Sequence, residues 1–275
     1  MGEGTLRLTV FVALFGALAL AEATAPRRVR ALPRRARWPA NLGLSVLGAL
    51  LVRLLLPTAA VGLAELARQR GWGLLHQLAL PDWAAAAGAF LALDLLIYAQ
   101  HRLFHAVPAL WRLHRVHHSD LDFDVTTAVR FHPVEIFMSM LIKMGAVAAL
   151  GAPPAAVVAF EITLNATAMF NHANLRLPAG VDRLLRLLLV TPDMHRVHHS
   201  VREDEMQRNF GFNVPWWDRL LGTYRAQPRD AHAQMRIGLE TFREPASQRL
   251  GRLLLQPLAV AVAPGEATRG PQPPG

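Results

Sequence analysis

The sequence predicts an all-α integral membrane protein, with about four to five spans and a cytoplasmic, histidine-rich cap built for two metal ions. Three observations carry this expectation. Apolar residues make up 52% of the 275-residue chain against 18% charged ones, and the charges are segregated so that long runs are nearly free of them. That is the pattern of bilayer-spanning helices. Eight of the twelve histidines fall in three blocks: His101/His105, His114/His117/His118 and His195/His198/His199. The chain has no cysteine, which excludes disulfides, iron–sulfur ligation and a thiolate-bound haem. Any metal must rest on nitrogen and oxygen.

Taken in order, residues 5–23 form an apolar run long enough to cross a bilayer. Arg27, Arg28, Arg30, Arg34, Arg35 and Arg37 follow this run rather than precede it, the reverse of a secretory signal. The positive-inside rule places this cluster in the cytoplasm and the N-terminus outside. Residues 41–67 are a second apolar stretch, interrupted by Arg53 and Pro57 and read as a tilted or kinked span. Residues 68–82 are expected as an external loop, and 83–100 as a third span running directly into His101. Residues 134–150 and 153–170 read as a helical hairpin around Gly151-Ala152-Pro153-Pro154. Its two crossings are what the three histidine blocks need if they are to share one face. Beyond it the chain is polar and arginine-rich. Residues 182–190 suit an amphipathic interfacial helix, 249–262 a docked terminal helix, and 264–275 a disordered Pro/Gly-rich tail. This gives three regions: 1–80 with N-terminal spans and a basic loop, 81–230 with the histidine blocks, and a 231–275 tail. The net charge of +9 is accompanied by no nucleic-acid-binding motif, and positive loops flanking apolar spans account for it.

The chemistry lies in the blocks. His114-Arg115-Val116-His117-His118-Ser119 returns as His195-Arg196-Val197-His198-His199-Ser200. On a helix, positions i, i+3 and i+4 share a face, so each HxxHH presents imidazoles together, as does the His101/His105 pair. Imidazole is the commonest ligand for transition metals. Eight are too many for one ion and suit two. Pro108 and Pro192 stand where new helices can start, and Thr191-Pro192-Asp193 reads as an N-cap, a first-position proline and a first-turn acid. Asp94 and Tyr98 share the face of His101 and His105. Two readings of Asp94 stand: a carboxylate that orients a ligating histidine, or a helix-packing hydrogen bond or arginine pair. His172 closes the hairpin on the face of the blocks, and His132 precedes a span as either a ligand or an interfacial residue. His76 and His232 read as structural or solvated.

These residues resemble those of the fatty acid hydroxylase and sterol desaturase superfamily of membrane di-iron oxygenases. The matching stretches are 94–105, 110–120, 130–135, 171–174 and 191–200. Asn209-Phe210-Gly211 and the 217–224 segment containing Asp218 resemble the superfamily's closing signature. The resemblance implies two non-haem irons, replaceable by zinc, on His101, His105, His114, His117, His118, His195, His198 and His199, with His172 as a further ligand. Some members carry a histidine where this chain has Ala168, so either that site lacks one ligand or a residue such as His132 replaces it. Asp94, Tyr98, Asn209 and Asp218 join as candidate catalytic residues. The implied reaction hydroxylates or desaturates a lipid with O2, at the cytoplasmic side of a bacterial inner membrane. No nucleotide, flavin or haem motif is present, so electrons are expected from a separate cytochrome b5-, ferredoxin- or reductase-type carrier. A zinc-dependent membrane hydrolase is the rival enzyme, weakened because Arg-Val fills the place of the glutamate in HExxH. A non-enzymatic membrane metal-binding protein is the other rival.

Overall fold

A computed structural model describes residues 2–260, so the expected disordered tail lies outside the described residues. The helices are α1 (Glu3–Thr24), α2 (Arg34–Leu55), α3 (Ala59–Arg70), α4 (Leu74–Gln77), α5 (Asp82–Ala106), α6 (Pro108–His118) and α7 (Pro133–Leu150). They continue with α8 (Pro154–Asn171), α9 (Ala179–Leu185), α10 (Pro192–His198), α11 (Glu203–Met206), α12 (Trp216–Leu220) and α13 (Leu250–Leu255). Among the described residues the only β-type pairings are two isolated bridges, Pro26 with Leu175 and Ser200 with Ile237.

Among the described residues, four stretches are long and apolar enough to cross a membrane: Glu3–Thr24, Arg34–Gln77, Asp82–Ala106 and Pro133–Leu150. The second is broken at Pro57, after which the chain resumes as α3 from Ala59, because proline cannot continue the backbone hydrogen-bond ladder. Helix α8 completes the hairpin with α7. Its Glu161 accepts from both Arg7 and Lys143, so a charge within an apolar bundle is matched by opposite charges. Helix α1 packs on α8, α2 and α3 pack on α7, and α5 packs on α7 and α8.

One end of the bundle collects the C-terminal ends of α1, α5 and α8 with the N-terminal ends of α2 and α7. At the other end Gly73 meets the α7–α8 turn. A Cβ on Gly73 would come 2.0 Å from the Gly151 nitrogen, and both glycines have positive φ, +96° and +64°.

At the histidine end, α2 is tied to the loop between α6 and α7 by an ionic knot. The guanidinium of Arg37 donates to both carboxylate oxygens of Asp120 at 2.6 Å and to Asp124 at 2.7 Å, and all three side chains are fully buried. Asn41 donates to Thr126 at 2.9 Å, and Arg130 donates to the Val116 carbonyl at 2.8 Å. Burial alone would raise the Asp120 carboxyl, but Arg37 and Arg130 beside it outweigh burial and hold it well below the ordinary carboxylate range. Arg37, expected in a basic cytoplasmic loop, therefore lies inside α2 and turns inward.

The C-terminal segment docks on this end. Leu253 of α13 packs with Ala40, Leu44 and Val116, while Met235 and Ile237 pack with Phe123. The amphipathic stretch is shorter than expected, since α9 ends at Leu185, and it leaves Leu184, Leu187 and Leu188 exposed.

Candidate metal centre

Helix α5 carries His101 and His105 on its last turns, and the chain restarts at once as α6 with Pro108 at its first turn. Helix α10 starts as the sequence predicts. Pro192 occupies its first turn, the Thr191 hydroxyl accepts from the Met194 N–H, and Asp193 lies in the first turn. Helix α8 ends at Asn171, so His172 caps it. These helix ends converge and bury nine histidines in two groups. His101, His105, His114, His118 and His198 form one; His117, His172, His195 and His199 form the other.

Each HxxHH is split between the groups. Neighbouring helical residues point about 100° apart, at 3.6 residues per turn. His117 and His118, like His198 and His199, therefore face different centres.

Four rings have their tautomer set by a fixed acceptor. His101 Nδ1 donates to the Phe210 carbonyl at 2.8 Å, His198 Nδ1 to the Arg208 carbonyl at 2.8 Å, and His172 Nδ1 to the Ala168 carbonyl at 2.8 Å. His114 Nδ1 donates to Glu135 at 2.6 Å. A carbonyl only accepts, so each of the first three nitrogens keeps its proton and each Nε2 is a bare lone pair. Yet His198 Nε2 lies 2.9 Å from His101 Nε2. His172 Nε2 lies 3.2 Å from that of His117, 3.2 Å from that of His199 and 3.1 Å from that of His195. In the His101–His198 pair both tautomers are fixed, and two lone pairs cannot hydrogen-bond to each other. Around His172 three Nε2 atoms crowd one lone pair, which can accept from only one of them. Imidazolium formation is opposed as well: burial, then the neighbouring rings, push His198 well below its ordinary value, and burial pushes His172 down to about 4 and His114 to about 3.

A shared cation resolves the conflict. Two nitrogens about 2.1 Å from one ion at 90–109° lie about 3.0–3.4 Å apart. The donor set therefore fits metal ions, and the buried, unpartnered Nδ1 atoms of His105, His117, His118, His195 and His199 mark the rings that lack a fixed outer acceptor.

The other candidates fall around this core. Asp94 accepts from Trp217 Nε1 at 2.7 Å, which is the helix-packing reading rather than a bond to a histidine. The Tyr98 hydroxyl meets Thr223 Oγ1 at 2.7 Å, and Thr223 donates to Asp218 at 2.7 Å. Asp218 also accepts from the Phe210 and Gly211 N–H groups at 2.8 Å each, holding the loop whose carbonyl orients His101. Asn209, with φ +55°, donates to the Met194 and Arg225 carbonyls at 2.8 Å each. His132 belongs to neither group. Its Nδ1 accepts from Val134 N–H and its Nε2 meets the Leu254 carbonyl, because Pro133 holds it extended at the start of α7.

Sequence reasoning passed over Glu135, which fixes His114, and Phe131, whose ring stacks on His117 at 4.3 Å and 8°. The signal was Arg130-Phe131-His132-Pro133-Val134-Glu135, an acid in the first turn of an apolar span. A cavity of about 270 Å³ runs from His101, His114 and Glu135 into the bundle between α2, α5, α7 and α8.

The sequence model of the fatty acid hydroxylase family matches residues 86–223, half of the chain and the part that contains both histidine groups. Among curated proteins, the ornithine lipid hydroxylase OlsE of Rhizobium tropici is 31% identical over 166 residues, covering 59% of this chain and 49% of that protein. Alkylglycerol monooxygenase of Homo sapiens is 33% identical over 140 residues, 50% of this chain and 30% of that protein. Cholesterol 25-hydroxylase of Homo sapiens is 26% identical over 136 residues, 49% of each. The aligned region thus spans half or less of the length of these relatives. No solved structure matches the chain.

Proposed function

Because the chain belongs to the fatty acid hydroxylase family, we propose that it is a membrane oxygenase that hydroxylates or desaturates a lipid at an unactivated C–H bond. The observation that carries this reading is the pair of bare Nε2 atoms of His101 and His198 held 2.9 Å apart, a geometry that asks for a cation. On this reading five nitrogens hold one iron and four hold the other, with zinc able to occupy the same nitrogens.

Bound iron supplies the reduction of O2. Hydroxylation balances as R–H + O2 + two electrons + two protons giving R–OH + H2O. Desaturation of a –CH2–CH2– pair takes the same inputs and yields a C=C bond and two waters. The electrons come from a separate carrier of cytochrome b5, ferredoxin or reductase type.

The chain's own residues orient and exclude. Glu135 fixes the His114 ring, and the Phe210 and Arg208 carbonyls fix His101 and His198. Ile97, Phe131, Leu164, Ala168 and Phe212 line the cavity, giving an alkyl chain an apolar path and keeping water from the reacting carbon. Lipid extracts of a strain lacking the gene should miss an oxygenated or unsaturated lipid that complementation restores, in proportion to O2 consumed. Identical extracts from the two strains contradict the reading.

The face is read as cytoplasmic, in a bacterial inner membrane, because the arginines of residues 27–37 lie at the histidine end. The cysteine-free chain makes this testable. In intact cells a membrane-impermeant thiol reagent should label Gln69→Cys and spare Asp204→Cys, both at exposed positions. The reverse pattern inverts the topology. Ser119 and Ser200, beside the blocks, are buried and serve poorly as probes.

A further inference from the structure

The cavity that reaches the histidines is not wholly apolar. One helical step from His101, Gln100 of α5 faces Ser139 of α7, and its Nε2 donates to Ser139 Oγ at 2.9 Å. The other half of the amide, Oε1, is buried and has no partner. Both residues line the cavity. Ser139 follows Glu135 by four residues, so this polar rung lies one turn, about 6 Å of helix rise, deeper in the bundle than the carboxylate that orients His114.

A buried acceptor without a donor costs free energy that a bound partner recovers. Because Ser139 Oγ accepts from Gln100, its own O–H remains to donate. The rung therefore offers one acceptor and one donor side by side, the complement of a group that both donates and accepts.

We propose that Gln100 and Ser139 form a specificity subsite for a hydroxyl or secondary amide of the lipid substrate. The subsite fixes oxidation at a carbon a few bonds from that group rather than towards the methyl end of the chain. A plain hydrocarbon segment satisfies neither half of the rung, and an ether oxygen satisfies only the serine. This rests on the lipid-oxygenase reading above, but it concerns the cavity and can be tested apart from turnover.

The test is binding to the purified 275-residue chain in detergent without added metal, with three probes of similar length: 1-hexadecanol, its methyl ether and hexadecane. The wild-type chain is expected to bind the alcohol about five- to tenfold more tightly than the ether, the worth of one hydrogen bond in a buried site. Gln100→Leu should abolish the alcohol-over-ether preference while leaving ether affinity within about twofold. Ser139→Ala should abolish the ether-over-alkane preference. The wild-type comparison needs no variant, so a folding defect in either substitution leaves the test intact. Equal binding of alcohol and ether by the wild-type chain overturns the subsite. If the alcohol preference holds but the chain consumes no O2 with any lipid, the subsite stands and the oxygenase reading falls.

Discussion

His172→Ala is expected to lose metal from the four-nitrogen group and lipid oxidation with it, while the chain still inserts into the membrane. The ring of His172 is the hub of that group, its Nε2 lying 3.1–3.2 Å from those of His117, His195 and His199. Its own Nδ1 is anchored on the Ala168 carbonyl at the end of α8, so its position is set by the bundle rather than by a mobile loop. Losing an outer partner of a ligand already costs about 10–100-fold in metal affinity, so losing the ligand should cost more than about 100-fold. His132→Ala is the internal control. Both of its nitrogens are engaged at the start of α7 and at α13, and metal content should be unchanged. Metal analysis of the two purified variants decides the matter. Retention by His172→Ala together with loss by His132→Ala would reverse the assignment.

Arg37→Ala is expected to destabilise the fold by about 3–5 kcal/mol, the cost of breaking a buried ion pair and stranding its partner. Here two partners are stranded, Asp120 and Asp124, both fully buried. The effect should reach the metal centre, because Asp120 stands two residues after His118 and the knot fixes where α6 ends. Arg37→Lys should recover only part of the loss, since an ammonium cannot reproduce the paired contact with the Asp120 carboxylate. Thermal unfolding in detergent is the measurement, and a loss below about 1 kcal/mol for Arg37→Ala would remove the knot as a structural determinant.

The bundle was legible because membrane spans announce themselves locally: apolar runs, the Gly151-to-Pro154 turn and the break at Pro57 each act within a few residues of chain. The helix start at Thr191-Pro192-Asp193 was legible for the same reason. The histidine blocks were equally plain, but their division into five and four was not. A triplet on one strip of helix suggests a single centre, and the angle of about 100° between His117 and His118 divides them only because the crossing of α5, α6, α8 and α10 sets a centre on each side.

Contacts distant in sequence stayed hidden. Arg37 meets Asp120 across 83 positions and Asp94 meets Trp217 across 123, so a basic run gave no hint that one of its arginines is buried. Glu135 was obscured by its setting, an acid inside a run that reads as membrane. Gln100 was obscured because a single polar residue at the end of a span is commonplace until a cavity is found beside it.

The most direct test of the two-centre account is the metal content of the purified wild-type chain, measured by elemental analysis alongside O2-dependent lipid oxidation. The account predicts about two metal ions per chain, iron in the active protein, with activity rising as the second equivalent binds. Full activity in a chain holding one ion or none would contradict it.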